Sequence, residues 1–477
     1  MDARLALATA EKLHRRLTNR RPKIQEFDDY YEGNQPLTFA SEEWAEWHKG
    51  RYKGFADNWC GVVANSPAER LEVLGVRTED RRGSLLSSWD DWLSNEGELQ
   101  SSQGFLESII ATTSYAIVWG NKHDEPVMTW EHPSDVIVSR DPFTRRATAG
   151  VKSTVYDGFE YLTLYAPDAL WKWRRVYSDG ETTSSGYRTE TGLYVESWSN
   201  ARETHWEPYR PDGDDVWPVP NPLGEVPIVE FPNRPRLRRD PVSDIAGTKA
   251  MQDAVNLLWA YLFTSADHAS FPARVVLGQE SPKMPVLDKD GQKIGEKNVD
   301  MQELSHGRFL WLTNPTAKID SWEAARLDVF TAVIEKGVGH IAAQTRTPQH
   351  YFMNKDNIPA TGYEAAEAGL TNKVVDQQRY FGAGIREVMR LFALVRDDRK
   401  AAAAARSAFV QWKNPGVRSE AQLADALQKR KDVGYPFEYL LELDGHGPDE
   451  IARIMELKRK EADDPVLAEI ANVYREL

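Results

Sequence analysis

The chain has a single cysteine, Cys60, among its 477 residues, so an internal disulfide framework is excluded. A long chain without disulfides is typical of a reducing compartment, and we expect assembly in a cytoplasm. No run of about 18 uncharged apolar residues occurs, and the mean hydropathy is −0.57, so we expect no membrane span. The first residues, MDARLALATAEKLHRR, mix acids and bases and lack the basic-then-apolar layout of a secretory signal.

Sequence motifs that carry common catalytic chemistry are also missing. The chain has no G-x-x-x-x-G-K-[ST] phosphate loop, no H-E-x-x-H and no G-x-S-x-G. Its ten histidines are scattered, without metal-ligand spacing to one another or to Cys60. The run Asp288 to Gly291 resembles the start of a calcium loop, but later ligands are missing, so we interpret it as a hairpin turn. We therefore expect no enzyme, no cofactor and no metal.

Charge and aromatic content narrow the choice of partners. Lysine and arginine number 59 against 73 acidic residues, a net charge of −14. This balance argues against a basic surface that clamps DNA, but it does not exclude a protein that lets DNA slide past without gripping it. The sixteen tryptophans indicate large buried areas in cores and subunit contacts.

Hydrophobic periodicity predicts an α+β protein. An opening helix is expected from about residue 2 to 20, ending before Pro22, and residues 115–231 alternate with the period of an antiparallel sheet. Ser243 is expected to cap a helix over 243–267, and a β-rich insert with a hairpin tip at LDKDGQKIG follows. The later elements are predicted as helices over 320–345 and 361–398, a strand in AFVQWKNP, and helices over 419–432, 436–443, 448–461 and 464–477.

Several segments, taken in order, resemble the portal proteins of tailed bacteriophages, especially those of actinobacteria. They are YYEGNQPL, ERLEVLGV, SDIAGTKAMQDAVNLLWA with FPARVVLG, IAAQTRTPQHYF, PATGYEAAEAGLTNKV and FVQWKNPGVRSEAQLADALQK. They extend from about residue 25 to 460. Each fragment is weak alone, and their order and spacing together carry the resemblance.

The resemblance implies a portal fold and a division of the chain. Residues 1–240 would form the wing, 241–271 and 319–347 the two stem helices, and 272–318 the clip. Residues 348–361 would be the tunnel loop, 362–418 a wing helix with a closing strand, and 419–477 a short crown. It also implies a ring of twelve subunits at one capsid vertex, passing double-stranded DNA. Its partners would be the terminase motor, capsid and scaffold proteins, and head-completion or adaptor proteins, with no membrane involved.

Laid onto this sequence, the resemblance gives three groups of candidate site residues. Polar tunnel-loop groups that would touch phosphates are Gln349, His350, Asn354, Lys355, Asp356 and Asn357. Acidic channel-lining candidates on the stem are Asp244, Asp253, Asp267, Glu323, Asp328 and Glu335. Charged clip residues for partner docking are Lys283, Lys289, Asp290, Lys293, Glu296 and Lys297.

Each group has an alternative interpretation. The loop and the hairpin tip could be merely solvated, and the acids could form ordinary exposed faces or intersubunit salt bridges. For the whole chain, the alternatives are another virion head protein or a tryptophan-rich carbohydrate-active protein with paired carboxylates.

Overall fold

A computed structural model describes most of the chain. The described residues are 1–35, 56–78, 84–177, 187–188, 194–195, 205–211, 216–270, 274–277, 283–287, 292–298, 309–312, 326–352, 360–416 and 420–463. They divide into two compact units. Unit 1 comprises Met1–Gln35, Asn58–Lys249 and Ala342–Leu477, and unit 2 comprises Pro36–Asp57 and Ala250–Ile341.

Helices and strands follow one another in a mixed order. The helices are α1 (Ala3–Glu32), α2 (Trp59–Ala68), α3 (Trp89–Ser94), α4 (Gly97–Ala111), α5 (Lys249–Ser270), α6 (Leu327–Thr345), α7 (Ala360–Val395), α8 (Arg399–Ala405), α9 (Glu420–Asp432), α10 (Phe437–Asp444) and α11 (Pro448–Asp463). The strands before α5 are β1 (Val73–Arg77), β2 (Thr113–Gly120), β3 (Pro126–Glu131), β4 (Val136–Arg140), β5 (Ala147–Tyr156), β6 (Phe159–Tyr165), β7 (Ala169–Val176), β8 (Tyr187–Arg188), β9 (Tyr194–Val195), β10 (Glu207–Pro208), β11 (Val219–Pro220) and β12 (Ile228–Pro232). The later strands are β13 (Arg274–Leu277), β14 (Lys283–Leu287), β15 (Lys293–Asn298), β16 (Phe309–Leu312) and β17 (Phe409–Trp412). The predicted α+β class is confirmed.

The largest sheet of unit 1 packs against α1. Strands β4 to β7 form an antiparallel meander, and both β10 and β11 pair with β7. On α1, Ala6, Ala10, Leu13 and Leu17 recur every three or four residues, so they share one face and cover the sheet. The two alanines leave room for large partners such as Trp171.

The first helix is longer than its sequence predicts. It continues to Glu32 with Pro22 inside it, and Gly33 ends it in the left-handed conformation at φ 79°. Proline removes a backbone donor and crowds the preceding turn, which usually ends a helix. Here the buried side chains Ile24 and Phe27 extend the apolar face beyond the proline, and their burial offsets that cost.

A three-stranded antiparallel sheet, ordered β12-β2-β3, meets α4 and α7 through aromatic rings. The Phe105 ring stacks on Phe381 with centroids 4.8 Å apart, and Trp130 lies 4.4 Å from Phe231. Gly384 lets α7 lie close to the Phe231 ring, because a Cβ there would be only 2.4 Å from that ring. The predicted late strand is confirmed as β17, which pairs antiparallel with β1.

In unit 2, the described part of α5 packs against α6, where Gly337 faces Val255. The Asp57 carboxylate accepts a hydrogen bond from the Trp259 indole at 2.8 Å, and its backbone N–H donates to the Asn256 side chain at 3.0 Å. Strands β14 and β15 form the predicted antiparallel hairpin, and β13 pairs with β16 in parallel. No helix among the described residues is long and apolar enough to cross a membrane.

The predicted start of the helix at Ser243 is wrong. Residues 244–248 form turns, and α5 begins at Lys249. The Ser243 hydroxyl accepts only a local hydrogen bond from the Ile245 backbone, and the Asp244 backbone donates to Ile109 O at 3.0 Å. Gly247, a poor helix former, lies in the same turn. Tertiary contacts within unit 1 therefore hold residues 243–248 in a non-helical conformation, and α5 starts after them.

Candidate functional site

The segment between α6 and α7 is folded against α7 as far as Phe352. Thr347 and Pro348 are buried, and Gln349–Tyr351 forms a single 3₁₀ turn. Gly369 on α7 faces this segment, because a Cβ there would lie 3.5 Å from the Arg346 Cβ. The chain up to residue 352 is therefore held in place, and we call residues 345–352 the loop root.

A buried carboxylate, Glu367 on α7, holds the loop root by charge. Its oxygens lie 2.7 Å from Arg70 Nη2 and 3.0 Å from His350 Nε2. Arg70 also donates to the Pro415 carbonyl at 3.1 Å and to the Tyr351 hydroxyl. The side chains of Arg70 and Glu367 are both mostly buried. Their ion pair brings Arg70, α7 with the loop root, and Pro415 together at one point.

Apolar contact fixes the end of the loop root. Phe352 is buried, and its ring centroid lies 5.4 Å from that of Trp59 at the start of α2. The chain is described again from Ala360, where α7 begins. Phe352 and Ala360, the described residues before and after 353–359, both belong to unit 1.

A second buried carboxylate, that of Asp244 in the turn before α5, contacts a later part of α7. Its oxygens lie 2.7 Å from Lys373 Nζ, and they accept hydrogen bonds from Asn233 at 2.9 Å and Gln377 at 3.2 Å. The guanidinium of Arg234 is 3.6 Å away. Such a carboxylate belongs to the interior of the fold. The expectation that Asp244 lines a channel on a stem helix is corrected, because it precedes that helix and its side chain is enclosed by these partners.

The other residues of the predicted tunnel loop divide between described and undescribed positions. Gln349 is exposed at the start of the 3₁₀ turn, while His350 is 18% exposed and paired with Glu367. Asn354, Lys355, Asp356 and Asn357 lie outside the described residues. The structure therefore brings one of the described loop candidates, His350, into contact with the Glu367 carboxylate of the same protomer.

The stem and clip candidates are scattered over unit 2. Asp253 is half-buried on α5, Asp328 and Glu335 are exposed on α6, and Lys283 is exposed on β14. The hydrogen bond from Arg326 holds the pKa of Asp328 below its ordinary value, so this carboxylate stays ionised. Asp267 lies on α5, and Lys293, Glu296 and Lys297 lie on β15. Glu323, Lys289 and Asp290 lie outside the described residues.

Sequence reasoning missed the residues that hold the loop root, above all Glu367 and Arg70. One signal for Glu367 was present. It shares a helical stripe with Leu370, Val374 and Phe381, so a carboxylate falls where an apolar residue belongs. A charge at such a position requires a buried partner. Arg70, 297 residues away, carries no comparable signal.

One group in unit 1 has the composition of a metal site. Ligand atoms of Asp28, Glu107 and His132 lie within 4.8 Å of one another. However, His132 Nδ1 accepts a hydrogen bond from the Ser134 backbone at 3.2 Å, which places the proton of the neutral ring on Nε2. That nitrogen is 2.8 Å from Glu107, so the geometry favours a hydrogen bond from the ring to this carboxylate over metal ligation.

The pKa values of two members of this group, Asp28 and His132, are raised. Burial and the negative charge of Glu107 raise the pKa of Asp28 to about 7. Burial alone would lower the pKa of His132, but its hydrogen bond to Glu107 and the nearby acids raise it. The group therefore holds a proton near neutral pH.

The order of elements agrees with a portal architecture. Helices and antiparallel sheets are followed by two long helices on either side of a β-rich segment, then by a polar loop and a third long helix. A family model described as "Phage portal protein, SPP1 Gp6-like" matches residues 10–461. The chain belongs to this family of phage portal proteins.

Two relatives from mycobacteriophages support the assignment. The chain is 25% identical over 410 residues to the portal protein of Mycobacterium phage D29, covering 78% of this chain and 75% of the relative. It is 24% identical over 389 residues to that of Mycobacterium phage L5, covering 77% and 71%. As a phage portal protein, the chain is a structural component of the virion capsid that serves as a channel for DNA packaging.

Proposed function

We propose that twelve copies of this chain form a closed ring at one capsid vertex, assembled in the host cytoplasm. Double-stranded DNA enters and leaves through the ring. The terminase motor docks first and is then replaced by head-completion and tail proteins, while capsid and scaffold proteins surround the ring. The match to the portal family over residues 10–461 carries this proposal.

Within the ring, we assign the wing to residues 1–240, the stem helices to α5 and α6, and the clip to residues 272–318. The tunnel loop is residues 348–361, the helix behind it is α7, and α9 to α11 belong to a short crown. The support is the order of the described elements, with a β hairpin between α5 and α6 and an anchored loop root before α7.

The exposed face of α6 supports its assignment to a channel wall. Asp328 and Glu335 are seven residues apart on one side of the helix. Asp328 is paired with Arg326, so Glu335 is the acid on this side that would repel DNA phosphates most strongly. Val329 and Val333, 53% and 45% exposed, lie on an adjoining side. A neighbouring copy in a ring would cover these valines, while the acids face the passage. Asp253, Asp267 and Glu323 are the further candidates for this wall.

The clip hairpin is the proposed docking point for the terminase and adaptor proteins. Lys283 on β14 and Lys293, Glu296 and Lys297 on β15 provide alternating charges beside the tip residues Lys289 and Asp290. Charged, polar contacts suit an interface whose partners are exchanged.

The tunnel loop is the proposed point of contact with DNA. Lys355 is its formal cation, and one weak phosphate contact per subunit would centre DNA without trapping it. The anchored root supports this role, because the chain leading into the loop is held by buried side chains of unit 1.

A charge reversal at Lys355 tests the loop. Lys355→Glu should leave rings intact but reduce the yield of DNA-filled heads by about tenfold. The heads are counted after complementation of a portal-deficient phage. Lys122→Glu, an exposed reversal in the turn between β2 and β3, is the matched control. Normal yields of filled heads with Lys355→Glu would remove Lys355 from the mechanism.

A further inference from the structure

A cleft of about 460 Å³ opens in unit 1 between the loop after β12, the end of α6 and the middle of α7. Four cationic side chains line it: Arg234, Arg236, Arg346 and Lys373. Two carboxylates also line it, those of Asp244 and Asp376. In a chain with a net charge of −14, this concentration of positive charge requires an explanation.

Both carboxylates in the cleft are already neutralised. Asp244 is paired with Lys373 at 2.7 Å, and Asp376 with Arg379 at 2.7 Å. Over the part of the chain that the structure describes, the exposed guanidinium groups of Arg236 and Arg346 form no ion pair. The cleft therefore keeps a positive surplus that its own acids do not balance.

Backbone conformation also sets two of the arginines apart. Arg234 has φ 47° and Arg346 has φ 57°, in the left-handed region that glycine adopts most easily. Arg346 follows the last residue of α6, a position where glycine is the usual choice. A non-glycine residue there costs about 1 kcal/mol.

We propose that this cleft binds a phosphate group through Arg236 and Arg346. Guanidinium groups form paired, parallel hydrogen bonds to phosphate oxygens, and Arg234 and the Gln377 amide border the same space. The cleft adjoins the loop root, which begins at Thr345. The assignment of DNA backbone phosphate as the ligand rests on the proposed function, whereas free phosphate would use the same chemistry.

The test compares the wild-type chain with the double variant Arg236→Gln/Arg346→Gln. The control is Arg146→Gln/Arg399→Gln, which removes the same charge from exposed positions away from the cleft. Two probes are used: a labelled 20-base-pair duplex, followed by anisotropy over a range of salt concentrations, and inorganic phosphate, followed by its effect on the thermal midpoint. Unfolding midpoints without ligand and electron micrographs of the rings are recorded for all three proteins.

With DNA phosphate as the ligand, the cleft variant should bind the duplex about tenfold more weakly than the control, and its salt slope should fall by about 2. If only the phosphate-induced thermal shift is lost, the cleft binds phosphate as a free anion. Equal responses of the cleft variant and the control to both probes overturn the site. If rings form but the cleft variant and the control respond equally to both probes, the cleft proposal is refuted and the ring proposal stands. If no rings form but phosphate binding is weaker in the cleft variant than in the control, the ring proposal is refuted and the cleft proposal stands.

Discussion

Glu367 shows how one charged residue organises its surroundings. It is buried on α7 beside Arg70 and His350, and together these residues hold the loop root. Removing one partner of a buried ion pair leaves the other charge without compensation, which costs several kcal/mol. An exposed pair costs far less to break, because water solvates both charges.

We expect Glu367→Gln to lower the free energy of unfolding by about 3 kcal/mol, because Arg70 loses its counter-charge. The measurement is the urea midpoint followed by tryptophan fluorescence. Glu456→Gln, which breaks an exposed pair with Lys460, should cost less than about 0.5 kcal/mol. Equal midpoints for the two variants would contradict the assignment of Glu367 as the anchor.

The pKa of Asp28 predicts a pH dependence of stability. In the folded chain this pKa is about 7, raised by burial and Glu107, whereas an unfolded aspartate has a pKa of about 3.9. The folded state therefore binds more protons between these values, and stability is lost as the pH rises through about 7. The pKa of His132, also raised, acts in the same direction.

Relative to the wild type, Asp28→Asn should gain about 2.5 kcal/mol of stability between pH 5 and pH 8, because the wild type loses stability as Asp28 ionises and the amide does not titrate. The urea midpoint at each pH gives the comparison, and Asp397→Asn, at a 92% exposed position, is the control. A difference between Asp28→Asn and the wild type that stays constant from pH 5 to pH 8 would show that Asp28 does not titrate as proposed.

Among the elements, α7 shows how two nearby glycines can have opposite roles. The sequence alone predicts that both Gly382 and Gly384 weaken a helix. At Gly384 a Cβ would lie 2.4 Å from the buried Phe231 ring, whereas at Gly382 the nearest atom, on Trp412, is at 3.5 Å. Gly384 is therefore needed for packing between α7 and β12, and Gly382 is not.

We expect Gly384→Ala to destabilise the chain by about 2 kcal/mol, since crowding outweighs the gain in helix propensity. Gly382→Ala should be neutral or should stabilise by up to about 1 kcal/mol. Urea midpoints of the two variants test this directly. A destabilisation of equal size in both would mean that helix bending, and not contact with Phe231, explains the glycines.

Local patterns predicted most elements but not their tertiary ends. The antiparallel region, the hairpin between α5 and α6, and strand β17 follow from alternation and turn residues, and the structure has them. The predicted end of α1 and the predicted start of α5 were wrong, because burial beyond Pro22 and contacts around Asp244 override the local sequence signals. The pairing of Arg70 with Glu367 could not be predicted, since it joins residues 297 positions apart.

At the scale of the whole molecule, the net charge of −14 and the proposed phosphate-binding cleft would act on DNA in opposite ways. Repetition around a ring would multiply both, giving a passage that repels phosphates over most of its surface and contacts them at a few fixed places. Both effects on DNA depend on how the copies are arranged in the ring. The arrangement of the copies is therefore the central claim.

Electron cryomicroscopy of the purified particle tests this claim most directly. We expect a closed ring of twelve chains of 54.2 kDa, with α5 and α6 along a central passage and residues 353–359 directed toward its axis. Chains that pack without a central opening, or a ring whose wall places α5 and α6 away from the passage, would contradict it.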